Sequence, residues 1–314
     1  MPSFVADNLR FLHTPKTGGM WATHAMCAAG ITPAYSELTF HASLAELSPR
    51  SDAFTIAFVR HPLAWWRSYW AYRMAHGWVD GSEIDDVAAA DDFHEFVRSV
   101  IAHLPGFAGV VFERYVGAAD RPISFIGYHE RLASDLERGL RYAGLRFDAS
   151  ALGAEPPRNT SDFERHPATY TRALATELAR AEQAVIERFY PWRAIPEELL
   201  AGRRAVSAAR SPATRAAEDR ALRARDAGAL TYTVERLEAQ VAELTAQLAT
   251  SDEAYRRLAS SRLVRRSRRV RVAFYALRDR WRAVRTPRAR GMRPAARLEL
   301  DAGTGGEAGG TPAG

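Results

Sequence analysis

The sequence predicts an α/β domain built on a central parallel sheet, with a helical appendage behind it. Two patterns point there. Short runs rich in β-branched and aromatic residues alternate with helix-length amphipathic segments over residues 1–197, and from Leu230 onward the apolar residues change to a three-and-four spacing. Strands that alternate with helices need crossover connections, which make neighbouring strands parallel and cover the sheet with helices. Ligands are then expected at the carboxyl ends of the strands, where loops meet helix N-termini.

The elements follow in order. LRFLH (Leu9–His13), FTIAFV (Phe54–Val59) and PISFIGY (Pro122–Tyr128) read as buried strands. Helical spacing covers Trp21–Ala29, Trp65–Met74, Phe93–His103, Arg131–Ala143 and Tyr170–Phe189, and FYPWRAIPEEL closes the domain with two prolines. Residues 198–228, rich in Ala and Arg with little apolar period, read as a helical or loose linker. Leu230, Val234, Leu237, Val241, Leu244, Leu248, Tyr255 and Leu258 then mark a heptad seam, interrupted at Ser251, so a coiled coil that pairs two chains is expected over 229–262. Residues 263–287 form a predicted basic helix with Leu263, Val270, Phe274, Leu277, Trp281 and Val284 on one face, and 288–314 have the composition of a disordered tail.

Charge is unevenly spread. The chain of 314 residues carries +6, but Arg256–Arg297 holds 16 arginines against Asp279 alone, so that segment carries +15 and the other residues together carry −9. A basic nucleic-acid binder is therefore disfavoured as a reading of the domain. Arginines around an apolar stripe with Phe and Trp fit an anionic membrane surface, with nucleic acid or a solvated extension as the alternatives. A single cysteine, Cys27, excludes an intrachain disulfide framework, no Cys/His spacing suits zinc, and no leader-like start or run of 18 apolar residues appears. A cytoplasmic protein, peripheral to the inner face of a membrane, is the expectation.

The chain has 42 arginines and one lysine, Lys16, in the loop TPKTGG between the first strand and the first helix. Gly18 and Gly19 permit close backbone approach, the helix start offers unpaired N–H groups, and a lysine adds a mobile charge, as a phosphate site needs. In a GxxxxGK[ST] loop the lysine follows the last glycine; here it precedes both, which fits a P-loop kinase poorly. A second motif, FVRHPLAWWRSYW, follows the second strand. There Arg60 can fork onto a phosphate, Ser68 can donate a hydroxyl, and Pro62 fixes the turn.

Together these resemble the two nucleotide-binding signatures of sulfotransferases, the 5′-phosphosulfate loop (HIPKTGG and PKTGTTW forms) and the 3′-phosphate pattern RxPxxxxxSxY, with Trp70 in the tyrosine position. FIGYHERL, PPRNTSD and IERFYPW are similar to later segments of that family, so the likeness spans Leu9–Trp192. It implies a P-loop-type three-layer domain and 3′-phosphoadenosine 5′-phosphosulfate as co-substrate, with no metal. Lys16, Thr17, Gly18, Gly19 and Met20 would hold the 5′ side, and Arg60 with Ser68 the 3′-phosphate. Lys16 would meet the charge on the leaving oxygen and His41 would be the base, with Glu37 as the alternative. Met20 departs from the usual Thr or Ser and removes a hydroxyl from the site. A carbohydrate-like or glycolipid acceptor is expected. The aromatics Trp65, Trp66, Tyr69, Trp70, Tyr72 and Trp78 form either a core stripe or an acceptor wall. A small-molecule kinase and a noncatalytic nucleotide-binding scaffold remain the competing classes.

Overall fold

A computed structural model describes residues 4–6, 8–32, 41–46, 53–158, 160–201, 212–260 and 268–285. Glu37, Asn159, Leu263 and the 288–314 tail lie outside the described residues. The chain divides into one unit ending at Gln240 and a second beginning at Val241.

The first unit is a mostly helical α/β domain around a small sheet. β2 (Leu9–Leu12), β3 (Phe54–Val59) and β4 (Phe125–Tyr128) are parallel, with Phe11 beside Ile56 and Ile56 beside Phe125. β1 (Phe4–Ala6), which the sequence pattern does not announce, adds an antiparallel edge on β2. The β2–β3 crossover contains α1 (Gly19–Ala28); the β3–β4 crossover contains α2 (Pro62–His76), α3 (Asp85–Ala88), α4 (Phe93–His103) and α5 (Phe107–Val116). After β4 come α6 (Leu132–Tyr142), α7 (Ala149–Ala154), α8 (Arg172–Ala181) and α9 (Gln183–Phe189).

Side chains alternate along the strands, so β3, buried at all six positions, serves two cores. Phe54, Ile56 and Phe58 join Leu9, Phe11 and Phe125 beneath α1, α6 and α7. Ala57 and Val59 join Leu12 and Tyr128 in the larger cluster with α2, α4, α5, α8 and α9. Gly127 is required on the first face: a Cβ there would lie 2.3 Å from the Phe58 ring. The aromatic helix α2 is mainly core, because Trp65, Trp66, Tyr69 and Trp70 are buried and Trp66 Nε1 donates to Glu182 Oε1 at 2.8 Å. Burial raises the Glu182 carboxyl to about 7.

The domain extends past the boundary expected at residue 197. One long helix, α10 (Pro212–Ser260), begins inside the segment read as a linker. Its Leu222 and Ala229 are buried, and Arg225 Nη1 lies 2.7 Å from Asp135 Oδ2 on α6. The same oxygen accepts the Tyr128 amide at 2.9 Å. An Ala- and Arg-rich background hides this packing, since alanine adds little apolar contrast. In the second unit, α11 (Arg268–Arg285) places Phe274 and Trp281 against Tyr255 of α10, with centroids 5.3 and 5.4 Å apart. Leu277 and Tyr275 stay exposed. Among the described residues no single helix is long and apolar enough to cross a membrane.

Removing one partner of a buried ion pair leaves an uncompensated charge, at a cost of about 3–5 kcal/mol. Arg225→Ala leaves the buried Asp135 with only Arg131, 3.7 Å away, as counter-charge, and is expected to lower the urea midpoint of the domain by an amount equivalent to about 3 kcal/mol, the low end of that range. An unchanged midpoint would mean that residue 225 does not belong to the folded domain.

Candidate functional site: a cationic cleft at the strand ends

The loop after β2 is held by its carbonyl groups. His41 Nδ1 lies 3.0 Å from the His13 oxygen, and Thr17 Oγ1 donates to Thr14 O at 2.8 Å. Trp65 Nε1 donates to Pro15 O at 2.9 Å, and Arg60 Nη1 to Lys16 O at 3.1 Å. Four successive carbonyls are thereby engaged by side chains, two of which come from α2 and the end of β3. Lys16 adopts φ 61° and Gly18 φ 88°, so the loop uses the left-handed region twice. Gly18 ends at α1, whose N-terminus receives no side-chain cap. Gly19 is dictated by packing, because a Cβ there would stand 1.9 Å from the His13 ring.

Beyond the loop lies a cavity of about 940 Å³. Lys16, Gly18, Gly19, Met20, Arg60, Ser68 and His41 all line it, although the two motifs are separated by more than 40 residues of chain. Thr17 is the exception among the predicted residues: it is buried with its hydroxyl spent on the loop. Ser68 Oγ is 3.1 Å from Ser161 Oγ, which brings the PPRNTSD segment to the wall. Trp21 also lines the cavity, with its indole N–H on Glu155 O at 3.1 Å.

Cations gather here. Lys16 Nζ sits 4.1 Å from the Tyr72 ring centroid. Burial, helped by the Arg60 and Arg73 charges, lowers its pKa to about 8. Arg73 is paired with the buried Asp85 at 2.8 Å. Among the described residues Arg60 forms no ion pair, and its Nε is buried without a hydrogen-bond partner, as is Thr14 Oγ1. Such orphaned donors in a cationic setting fit an anion.

His41 lies at the exposed edge, and its ring meets that of His13 at 4.9 Å. When Nδ1 donates to the His13 carbonyl, Nε2 carries the lone pair. Desolvation lowers the His41 pKa, and the Lys16 charge acts the same way. At neutral pH the imidazole is therefore an acceptor of protons. His61 has a structural role: it caps α2 through the Leu63 amide and contacts the Arg193 carbonyl at 2.9 Å.

Sequence reasoning missed Arg73, His76 and His129 as cavity residues, whereas Tyr72, one of the aromatics read as a core stripe or an acceptor wall, lines the cavity. Ser68, Tyr72 and His76 recur every four residues on α2, a signal that was present in the spacing. His129 stands at the carboxyl end of β4, where burial and the Arg60 charge lower its pKa to about 3. It also lines a neighbouring cavity of about 630 Å³, shared with Arg60 and walled by Tyr128, Tyr190 and Trp192. Compared with family models, curated proteins and solved structures, the chain matches none.

Lys16 is the sole lysine, so amine acylation followed by peptide mapping reads one side chain. Its labelling rate is expected to reach half-maximum near pH 8, well below the roughly 10.4 of an unperturbed lysine. In that window the unfolded chain still holds a proton that the folded chain has released, so this group's contribution to stability rises with pH. A midpoint above about pH 10 would show that Lys16 is neither desolvated nor repelled by Arg60.

Proposed function

We propose that the chain is a sulfotransferase of the P-loop type, taking a sulfuryl group from 3′-phosphoadenosine 5′-phosphosulfate to a hydroxyl on a carbohydrate-like acceptor. The observation that carries this reading is the meeting of Lys16, the Gly18–Gly19 helix start, Arg60 and Ser68 in one cavity. The unpaired Arg60 Nε supports an anionic ligand there. Arg60, Ser68 and Ser161 would hold the 3′-phosphate, and the amides at the start of α1 the 5′ side. Met20 offers no hydroxyl, so the backbone carries more of that contact.

The chemistry assigned to the residues is simple. The acceptor oxygen bonds to sulfur while the bond from sulfur to the bridging phosphate oxygen breaks. Lys16 places its ammonium where negative charge grows on the leaving oxygen, and its flexible stem can follow that charge. His41 Nε2 takes the acceptor's proton, for which its lowered pKa keeps it ready at pH 7. Tyr72 and His76, stacked at 4.2 Å, offer an aromatic edge to a sugar ring. Glu37, the other candidate base, lies outside the described residues.

Thermal stabilisation by 3′-phosphoadenosine 5′-phosphate, but not by ATP or GTP, is expected of the full chain. Arg60→Ala and Ser68→Ala should each weaken that ligand roughly ten- to a hundredfold, the worth of a charged hydrogen bond. His41→Ala should keep the affinity and lose about 10²–10⁴ in turnover. The bound anion should also raise the Lys16 midpoint. Stabilisation by ATP alone would move the reading to a kinase, and full affinity in folded Arg60→Ala would remove the donor assignment.

The reading extends to a cytoplasmic protein at an anionic membrane surface, supported by the arginines and exposed Leu277 of α11. Full-length chain should sediment with phosphatidylserine vesicles at low salt and be released as salt rises. A chain ended after Gln240 should stay in solution and still bind the bisphosphate. Tight duplex DNA binding without vesicle binding would reassign the segment.

A further inference from the structure

The helix α10 has two faces with different fates. Leu222, Arg225, Ala229, Tyr232 and Arg236 turn toward the domain: Ala229 is buried, Tyr232 packs on Phe54 at 5.8 Å, and Arg236 Nη2 reaches Ala143 O at 3.4 Å. With Val234, Val241 and Leu248 taken as heptad position a, those five residues occupy positions c and f. Positions a and d lie on the opposite side. There Leu230, Val234, Leu237, Val241, Leu244 and Leu248 are 50–62% exposed, an apolar row on an otherwise polar helix.

We infer that this row pairs in parallel with the same row of a second copy of the chain. A heptad seam is self-complementary, and β-branched Val at a with Leu at d favours two parallel strands. Flanking charge selects the same direction. The acids Glu238 and Asp252 occupy position e, whereas the g positions are Thr233, Gln240 and Gln247. Parallel helices set e beside g of the partner, so no acid faces an acid. Antiparallel helices with residue 230 against 248 set e beside e and bring Glu238 against its own counterpart. The seam has a defined end, because position d becomes Ser251 and the a residue Tyr255 stacks with Phe274 and Trp281 of its own chain. Since c and f are opposite the seam, each domain is carried on the outer side of its helix. The inference is independent of the reaction assigned to the cleft.

Sedimentation equilibrium of the full chain under reducing conditions tests it. The expected mass is that of two chains at micromolar concentration, falling to one chain in Val241→Glu/Leu244→Glu. That variant should keep its helical circular dichroism and its bisphosphate-independent thermal unfolding of the domain. Direction is read in a Cys27→Ala background, where Leu230→Cys should oxidise to an interchain disulfide. Parallel pairing sets residue 230 against its counterpart, whereas antiparallel pairing over residues 230–248 would separate the two by about 27 Å. A wild-type mass of one, three or four chains overturns the inference, as does an unchanged two-chain mass in the double variant. Failure of Leu230→Cys to crosslink in a two-chain species also overturns it.

Discussion

The loop between β2 and α1 depends on one constraint: four of its consecutive carbonyl oxygens are held by side chains. His41, Thr17, Trp65 and Arg60 each take one of four consecutive oxygens, from His13 to Lys16. A backbone whose acceptors are occupied presents its donors, and Lys16 pays for this with a left-handed φ of 61°. The donors that hold the loop are also cavity residues or their neighbours. Trp65 belongs to the core of α2, so the packing of that core fixes the height of Pro15. Loop geometry and domain stability are therefore coupled through a single indole.

Electrostatics in the cleft follow from the same arrangement. Arg60 reaches the loop only by burying its guanidinium, and among the described residues no carboxylate is near enough to pair with it. Glu130, the acid in its field, is engaged by the His61 amide at 3.0 Å and the Tyr190 hydroxyl at 2.9 Å. Arg60 thus depresses the proton affinity of Lys16 and His129 alike. A ligand carrying negative charge, such as the proposed donor, would relieve that repulsion on entry.

Much of this was legible in the sequence where backbone demand and chemistry coincide. TPKTGG and RHPLAWWRS disclose themselves because glycine, proline and a solitary lysine are hard to replace at those places. Phe54–Val59 appears as a strand with the bounds its apolar run suggests, and Phe93–His103 likewise as a helix. Other elements carry weaker marks. β1 is three residues long, too short for a period, and α5 holds Gly109 and two adjacent valines inside a helix. The docking of α10 was hidden because the residues that make it, Leu222, Arg225, Ala229, Tyr232 and Arg236, include few large apolar side chains and stand among many alanines and arginines. The grip of Arg60 and Trp65 on the loop was not legible at all, since a side-chain bond to a backbone oxygen leaves no residue signature at the accepting end.

Asp135 receives both the Tyr128 amide at the end of β4 and the Arg225 guanidinium from α10. Through that carboxylate the start of the long helix is latched to the strand that leads into His129. The appendage is consequently not an interchangeable module in the evolutionary sense. Recombination that exchanged it at the Ala- and Arg-rich stretch would strip a counter-charge from the domain interior, whereas a junction beyond Gln240 would leave the latch whole. Swapping of tails among proteins built this way should accordingly favour breakpoints within the helix rather than before it.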